Sequence, residues 1–315
     1  AAGRASDDAV LALARSWQVA AFVSAGRIPE AKAALREAEA LASVAEPSTR
    51  AFVAARRAEL AGAIGDLAER RDAFADAVRL YRESGDVRRA AGAAANLADV
   101  HNRVGAYADA ADALRAAVED CRRVGLRGRE GWALCNLGYA QTMAGQPGDA
   151  LSTLAEAERV ARTVRDQRLL GGVRLYRLRA LLALPDPAAA LRETDSAVAE
   201  AERLGVPVLL VLTLSVAARC RLALGDGPGA LPLSERALAL RDQLGGLEED
   251  EAEVYLTHAR ALAANGRVDE ARRVQQTGRD RLWAIAGHIA DLGWRARFLR
   301  DVPTHRMLVE SDEFG

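Results

Sequence analysis

The sequence predicts an all-α protein, a right-handed superhelical solenoid of about seven helix-turn-helix repeats that ends in a C-terminal capping helix. Three observations predict this class. A turn-forming residue recurs about every 40 positions along the 315-residue chain. Small residues recur at fixed distances after each turn. Apolar residues make up 50% of the chain but aromatic residues only 4%, which suits helices packed closely through alanine and leucine better than β-sheets.

The recurring turn residue is glycine in six repeats and proline in the fifth. Its positions are Gly26, Gly65, Gly105, Gly145, Pro185, Gly225 and Gly266. Both residue types favour turns. Alanine occupies the fifth position after most of these turns, and Arg70 replaces it in the second repeat. Small residues at such a long period are typical of stacked helix pairs that share one continuous core.

Each repeat is predicted to contain a first helix, helix A, which ends at the turn, and a second helix, helix B, which runs back. In the third repeat these helices cover 87–104 and 108–124, and the apolar residues of helix B recur at helical period. The approximate repeats are 8–45, 47–85, 86–125, 127–165, 167–205, 206–246 and 249–290. The solenoid therefore spans 1–290, and 291–315 are predicted to form the capping helix and tail.

The fourth repeat shows a fixed order of residue sizes. Gly138 is the small residue of helix A, Gly145 forms the turn, and Ala150, Leu154 and Ala157 give helix B a small-large-small pattern. This order resembles the tetratricopeptide repeat, and it returns in the third and sixth repeats. The period is about six residues longer than is usual in that family, and resembles the long repeats of bacterial signalling NTPases and related activators. The resemblance implies a helical binding array without naming its partner.

A second resemblance concerns the C-terminal residues. The matching positions are Arg295, Phe298, Leu299, Val302, Pro303, Arg306 and Leu308. They resemble the end of large actinobacterial regulators, in which an NTPase, cyclase, kinase or DNA-binding module precedes a tetratricopeptide array. This resemblance implies that the chain is the C-terminal sensor array of such a regulator, with the effector module as an intramolecular partner. The same segment is expected to cap the solenoid, with Trp294, Phe298 and Leu299 covering the last repeat.

In tetratricopeptide arrays, helix A residues line a concave groove, and the resemblance assigns the candidate binding residues here. One column, six positions before each turn, changes from acidic at Glu59 to basic at Arg179, and a neighbouring column supplies asparagines. The candidates are Asn96, Asp99, Trp132, Asn136, Tyr139, Tyr176, Arg179, Arg219 and Arg260. Arginines suit carboxylates or phosphates, and asparagine amides suit an extended peptide backbone. We therefore expect a protein or peptide partner of acidic character.

Two alternatives remain open for these candidates. Lys32 is the only lysine among 43 basic residues, so an arginine column also follows from the composition of a GC-rich genome. The aromatic candidates would serve equally well in packing. The carboxylate run 248–251 is interpreted as a polar loop and helix start, where acidic residues are favoured by the helix dipole.

Other function classes find little support in the sequence. No P-loop and no histidine pair at metal-binding spacing occurs, and three unrelated cysteines form no disulfide or zinc pattern. His101 and Cys135 lie on consecutive A helices, but a catalytic dyad also needs an orienting residue and an oxyanion hole. We therefore expect no catalytic residues, metal or cofactor.

Charge and hydropathy set the remaining expectations. The net charge of −1 offers no general attraction to nucleic acid or anionic membranes. No apolar run reaches the roughly 18 residues of a membrane span, and reduced cysteines suit the cytoplasm. The predicted function is non-catalytic binding within a signalling or transcriptional regulator. The alternative is a scaffold array, either stand-alone or linked to a caspase-like CHAT protease.

Overall fold

A computed structural model of the protein describes residues 2–247 and 249–310, with side chains from residue 7 onward. These residues contain sixteen α-helices and no β-strand. The first fourteen helices form seven consecutive packed pairs, and two short helices follow. The all-α superhelical repeat fold predicted from the sequence is thereby confirmed. The division into 1–290 and 291–315 stays a prediction.

The helices are numbered in chain order, so that odd numbers up to α13 are A helices and even numbers up to α14 are B helices. Their bounds are α1 Ala2–Ser24, α2 Ile28–Ala42, α3 Pro47–Ile64, α4 Leu67–Glu83, α5 Val87–Arg103, α6 Tyr107–Arg123, α7 Arg127–Met143, α8 Pro147–Val164, α9 Gln167–Leu182, α10 Pro187–Leu204, α11 Pro207–Ala223, α12 Gly227–Gln243, α13 Glu251–Ala264, α14 Val268–Gly287, α15 Leu292–Arg300 and α16 Pro303–Glu310. Residues 291–310, which include α15 and α16, are called the C-terminal tail below.

The turn glycines adopt left-handed backbone conformations that residues with a Cβ rarely tolerate. The six glycines of the predicted 40-residue period have φ between 70° and 83°. A second glycine column, at the ends of the B helices, comprises Gly85, Gly125, Gly205 and Gly245. Arg165 occupies the missing position in that column with φ 56°. Both turns of the repeat are therefore specified by backbone geometry as well as by hydrophobic pattern.

The irregular second repeat has a packing explanation. Arg70, which replaces the usual alanine, lies against Gly62 on the preceding helix, and a Cβ added at Gly62 would lie 3.0 Å from Nη1 of Arg70. The missing side chain on α3 therefore makes room for the large side chain on α4. The guanidinium of Arg70 also lies 5.9 Å from the ring centroid of Phe74. The register of the repeat is retained.

The size pattern of the fourth repeat packs as the resemblance implies. Ala150, Leu154 and Ala157 are fully buried on α8. A Cβ at Gly138 would lie 2.5 Å from Cγ of Leu154, so the close approach of α7 to α8 depends on that glycine. A larger residue at Gly138 would force α7 and α8 apart, because protein interiors are close-packed.

The superhelix closes on itself, so that the seventh repeat and the tail contact the second and third repeats. Arg279 on α14 donates to the carbonyl oxygen of Leu308 at 2.7 Å, which fixes the tail to the last repeat. The tail then reaches across: a Cβ at Gly105 would lie 2.5 Å from the carbonyl carbon of Asp301. Trp294, expected to cover the last repeat, packs against the core that includes Leu282 of that repeat, and the guanidinium carbon of Arg71 lies 4.5 Å from the Trp294 ring centroid.

Candidate functional site

The concave face contains a cluster of tyrosines contributed by successive repeats. The ring centroids of Tyr139 on α7 and Tyr176 on α9 are 4.9 Å apart, and Tyr107 makes an edge contact with Tyr139 at 6.2 Å. Burial raises the pKa of the Tyr139 and Tyr176 phenols well above the ordinary value, so both are neutral. The two sequence-predicted tyrosines therefore form one polar aromatic surface.

Arg179 is the electrostatic centre of this face. Its side chain is only 5% exposed, and its guanidinium carbon lies 5.4 Å and 5.5 Å from the ring centroids of Tyr139 and Tyr176. Its Nη2 lies 2.8 Å from Oδ2 of Asp250 and 3.1 Å from Oε2 of Glu253. Burial alone would lower the pKa of Arg179, but the two carboxylates outweigh it and keep that pKa above its ordinary value. Arg179 is thus a buried cation paired across the groove with its own chain.

The other two predicted arginines also contact the C-terminal part of the chain. Nη1 of Arg219 on α11 lies 3.2 Å from Oε1 of Glu253. Nη2 of Arg260 lies 3.3 Å from Sδ of Met307 in the tail. The column predicted to bind an acidic partner is therefore assembled, and two of its arginines pair with carboxylates from the seventh repeat.

The predicted asparagines lie on the neighbouring A helices, and a third asparagine joins them. Asn96 and Asn136 are half-buried, as is Asp99. Asn102, which the sequence analysis missed, donates from Nδ2 to the carbonyl oxygen of Asn136 at 3.3 Å and so links α5 to α7. Its Oδ1 is buried without a hydrogen-bond partner among the described residues. The signal available in the sequence was its position three residues before a turn glycine, on the groove side of helix A.

Trp132 lies apart from the tyrosine cluster. Its ring is 39% exposed, and its Nε1 donates to Oδ2 of Asp166 at 3.3 Å at the start of α9. A Cβ at Gly172 would lie 3.5 Å from the Trp132 ring. Trp132 therefore contacts the neighbouring repeat near the N-terminal end of its A helix.

Residues 247–253, called the acidic turn below, are the main feature that the sequence analysis missed. The interpretation of 248–251 as a polar loop and helix start does not account for the burial of Glu251 or for the contacts of this segment; Glu248 lies outside the described residues. Oε1 of Glu249 lies 3.6 Å from Nη1 of Arg103. Glu251 accepts from the backbone N–H of Leu247 at 2.9 Å and pairs with Arg281 at 3.0 Å, which anchors the base of the turn to its own repeat.

The concave interior retains space around the acidic turn. A small cavity of about 60 Å³ is lined by Asn102, Tyr139 and Tyr176 from one side and by the acidic turn and tail from the other. A second cavity of about 210 Å³ includes Arg179 and Arg219, and shares Tyr139 and Asp250 with the first. A larger cavity of about 580 Å³ lies beside the first two repeats. The groove is therefore partly filled and partly open.

Three further observations concern the reactivity of a buried thiol, the grouping of metal-binding side chains and the apolarity of the helices. Cys135 is fully buried, and burial raises the pKa of its thiol, so it carries no nucleophilic thiolate. No group of three metal-binding side chains occurs among the described residues. None of the helices in the described part of the chain has the length and apolarity needed to cross a membrane.

Comparison with known proteins agrees with this architecture. Residues 86–163, which cover the helix pairs α5–α8, match the tetratricopeptide repeat family. No curated protein matches the chain. The family match is confined to residues 86–163, and the remaining helix pairs share the repeating architecture described above.

Similar solved structures extend the likeness to nearly the whole chain. A Rap protein in complex with the competence and sporulation factor is 14% identical, with 96% of this chain and 99% of that chain covered and a TM-score of 0.63. NprR in complex with its cognate peptide NprX is 13% identical, with coverages of 96% and 85% and a TM-score of 0.60. A signal transduction ATPase with numerous domains and a tetratricopeptide repeat sensor, from Pyrococcus horikoshii, is 14% identical over 76% of this chain and 37% of that chain, with a TM-score of 0.60. At these identities the likeness shows the fold alone.

Proposed function

We propose that this array is a non-catalytic binding domain that holds a peptide or an extended segment of a partner protein along its concave face. The observation that carries the proposal is the continuous strip of Asn96, Asn136, Tyr139, Tyr176 and Arg179 on consecutive A helices. Amides both donate and accept, so they suit a peptide backbone, whereas tyrosine faces and a guanidinium suit side chains. Of the remaining candidates, Asp99, Arg219 and Arg260 extend the strip, and Trp132 lies apart from its tyrosines, against Asp166.

The partner is proposed to be acidic, and the array to be the sensor or regulatory part of a larger signalling or transcriptional regulator in the cytoplasm. Two structural neighbours were solved with a bound factor or peptide, and a third is described as a sensor within a signal transduction ATPase. Those descriptions support the class of ligand and the class of protein. The arginines Arg179 and Arg219 support the acidic character.

Selection of linear peptides against the purified chain tests the binding function. We expect a displayed random library to yield peptides rich in Asp and Glu. Their affinity should fall by about tenfold, or about 1.4 kcal/mol, in an Asn96→Ala/Asn136→Ala variant. The control is Arg115→Ala on α6, where the exposed Arg115 pairs with Asp112 three residues earlier. Failure to retain any peptide, or equal affinity in the asparagine variant and the control, would contradict the proposed groove.

The regulatory role has a separate and inexpensive test. The genomic reading frame that encodes the chain should also encode an NTPase, kinase, cyclase or DNA-binding module. A Cys–His protease in the same polypeptide would instead favour the scaffold alternative. Either result leaves the binding test unchanged.

A further inference from the structure

Aspartate N-caps set one helix apart from the others. In the described part of the chain, seven helices begin immediately after an aspartate. In six of them the carboxylate accepts a backbone N–H of the first turn: Asp66, Asp86, Asp166, Asp186, Asp226 and Asp291. Asp250, before α13, makes no such bond. Since capping satisfies an otherwise unpaired donor, Asp250 forgoes a local stabilisation that its six counterparts retain.

Asp250 also adopts an unfavourable backbone conformation. Its φ of 57° and ψ of 17° lie in the left-handed region, which costs energy for any residue with a Cβ. Its carboxylate lies instead 2.8 Å from Nη2 of Arg179, which is 71 residues away in the sequence. Two local preferences are therefore overruled by one contact across the groove. Conflicts of this kind concentrate at binding and switching sites.

Arg179 has binding capacity that the acidic turn leaves unused. Its Nε and Nη1 are buried and have no hydrogen-bond partner among the described residues. Its side chain and that of Arg219 line the same cavity, which is about 210 Å³ and also borders Asp250 and Glu253. A guanidinium presents paired N–H groups that match a carboxylate bidentately. A carboxylate bound bidentately would therefore use more of the Arg179 donors than Asp250 and Glu253 do, since both make their closest contact with its Nη2.

We infer that the acidic turn is an internal ligand of the groove, and that an acidic peptide binds by taking the place of Asp250 on Arg179. This inference rests on the proposed peptide-binding function and adds the step that frees the groove, which is the release of Asp250 from Arg179. On release, the Asp250 carboxylate becomes the N-cap of α13, as its counterparts do on their helices. The gain of that cap and the relief of the backbone strain both offset the loss of the ion pair.

The surrounding residues allow the turn to move while its repeat stays packed. Gly245 and Gly246, with φ of 75° and 139°, directly precede the acidic turn and supply a hinge. Glu251, only 4% exposed, stays bound to Arg241 and Arg281 on the flanking B helices. Because Leu247 donates to Glu251, the part that moves is confined to Glu249 and Asp250. Glu253, on the first turn of α13, follows by a change of side-chain rotamer.

An internal ligand reduces the apparent affinity of an external one by the fraction of molecules in which the groove is free. Neutralising Asp250 should therefore strengthen binding of an acidic peptide. Asp250→Asn is the suitable substitution, because asparagine tolerates the left-handed conformation and caps helices well. The matched control is Asp86→Asn, which makes the same change at the N-cap of α5, an equivalent A helix that retains its cap.

The probe is a fluorescein-labelled peptide with the sequence of residues 245–255, which carries the carboxylates of the acidic turn itself. Fluorescence anisotropy should show binding to Asp250→Asn at least tenfold tighter than to the unmodified protein and to Asp86→Asn. Adding Arg219→Gln to Asp250→Asn should reverse most of that gain, since Arg219 contacts Glu253 from the opposite wall.

The inference is overturned if Asp250→Asn binds the probe no more tightly than the unmodified protein does, or if the gain survives Arg219→Gln. Circular dichroism of each variant checks that the helices are retained. The proposed function is judged separately, by library-selected peptides and the Asn96→Ala/Asn136→Ala variant in the unmodified background. Selected peptides that bind there, together with no effect of Asp250→Asn, would retain the binding function and reject the internal ligand.

Discussion

The turn between α8 and α9 and the turn between α12 and α13 each join one repeat to the next, and each contains a non-glycine residue in the left-handed region. In the first, Arg165 has φ 56°, and the next residue, Asp166, accepts the N–H of Leu169 at 2.9 Å. In the second, Asp250 has φ 57°, leaves α13 without a side-chain cap, and pairs with Arg179. The aspartate of the first turn thus caps its own helix, whereas the aspartate of the second turn pairs with a distant arginine.

Magnitudes explain why the distant contact prevails in the second turn. A helix cap contributes about 1 kcal/mol, and a left-handed residue costs about 1–2 kcal/mol. Leaving a buried charge without its partner costs about 3–5 kcal/mol. Because Glu253 also contacts Arg179, which is only 5% exposed, losing Asp250 forfeits part of that amount, and the observed conformation requires that part to exceed the roughly 2–3 kcal/mol of cap and strain together. The comparison shows that the occupied groove, and not the local sequence, sets the conformation of the acidic turn.

The largest expected effect comes from removing the cation that the acidic turn meets. Arg179→Met should lower the free energy of unfolding by about 3 kcal/mol, because Asp250 and Glu253 would face an apolar side chain. Arg162→Met at the end of α8 should cost about 0.5 kcal/mol or less, since Arg162 is exposed and its ion pair is with Glu158, four residues earlier. Urea unfolding monitored by circular dichroism gives both values. Equal costs would remove the distinction between the two turns.

A similarly large effect on stability is expected from the titration of His305 in the C-terminal tail. His305 lines the same cavity as Asp250, and its ring Nδ1 lies 2.8 Å from the carbonyl oxygen of Phe298. Burial lowers the pKa of His305 to about 4 from its ordinary 6.5; the Phe298 carbonyl and Asp250 oppose that shift and Arg103 adds to it. As the pH falls, His305 is therefore protonated in the unfolded chain before it is protonated in the folded protein. The associated stability, about 3 kcal/mol, is complete above pH 6.5 and is lost as the pH falls to 4.

Unfolding free energies measured at pH 7 and at pH 4 check this expectation. His305→Gln retains a donor for the Phe298 carbonyl but cannot titrate, so its stability should fall less steeply with pH than that of the unmodified protein. His288→Gln is the control, because His288 is an exposed histidine at the end of α14. Identical pH dependence for His305→Gln and the unmodified protein would show that His305 does not contribute to the pH dependence of stability.

The smallest effect compares the two left-handed residues directly. Arg165→Gly should stabilise the protein by about 0.5 kcal/mol, because the relief of strain exceeds the entropy that glycine loses on folding. Asp250→Gly relieves similar strain but removes the partner of Arg179, so it should destabilise the protein. Thermal unfolding of the two variants should therefore shift the midpoint in opposite directions. Shifts of the same sign would mean that the ion pair contributes little.

The sequence was sufficient for the repeat architecture because that information is local. The glycine period marks the turns, and the alanine and leucine columns mark the faces that pack. The same register placed Tyr139, Tyr176 and Arg179 on one face, where the structure brings them together. Arg70, which stands where other repeats have alanine, is matched by a glycine, Gly62, eight residues earlier.

The occupant of the groove could not be predicted in the same way. Whether the seventh repeat returns to the second and third depends on small rotations summed over all the helix pairs, and no local pattern specifies that sum. The carboxylates of the acidic turn are equally consistent with a solvated helix start, so their local pattern carried no information about Arg179. Asp250 precedes its helix in the sequence just as the capping aspartates precede theirs. The sequence alone therefore could not distinguish Asp250 from an ordinary N-cap residue.

A double-mutant cycle between Arg179 and Asp250 tests most directly whether the groove contact governs the acidic turn. The unfolding free energies of Arg179→Met, Asp250→Asn and the double variant should give a coupling energy of about 2 kcal/mol, whereas Arg179→Met and Asp166→Asn should be additive within about 0.5 kcal/mol. A coupling below about 0.5 kcal/mol for the Arg179 and Asp250 pair would contradict the account, because Asp250 would then be an ordinary turn residue and the groove would have no internal ligand.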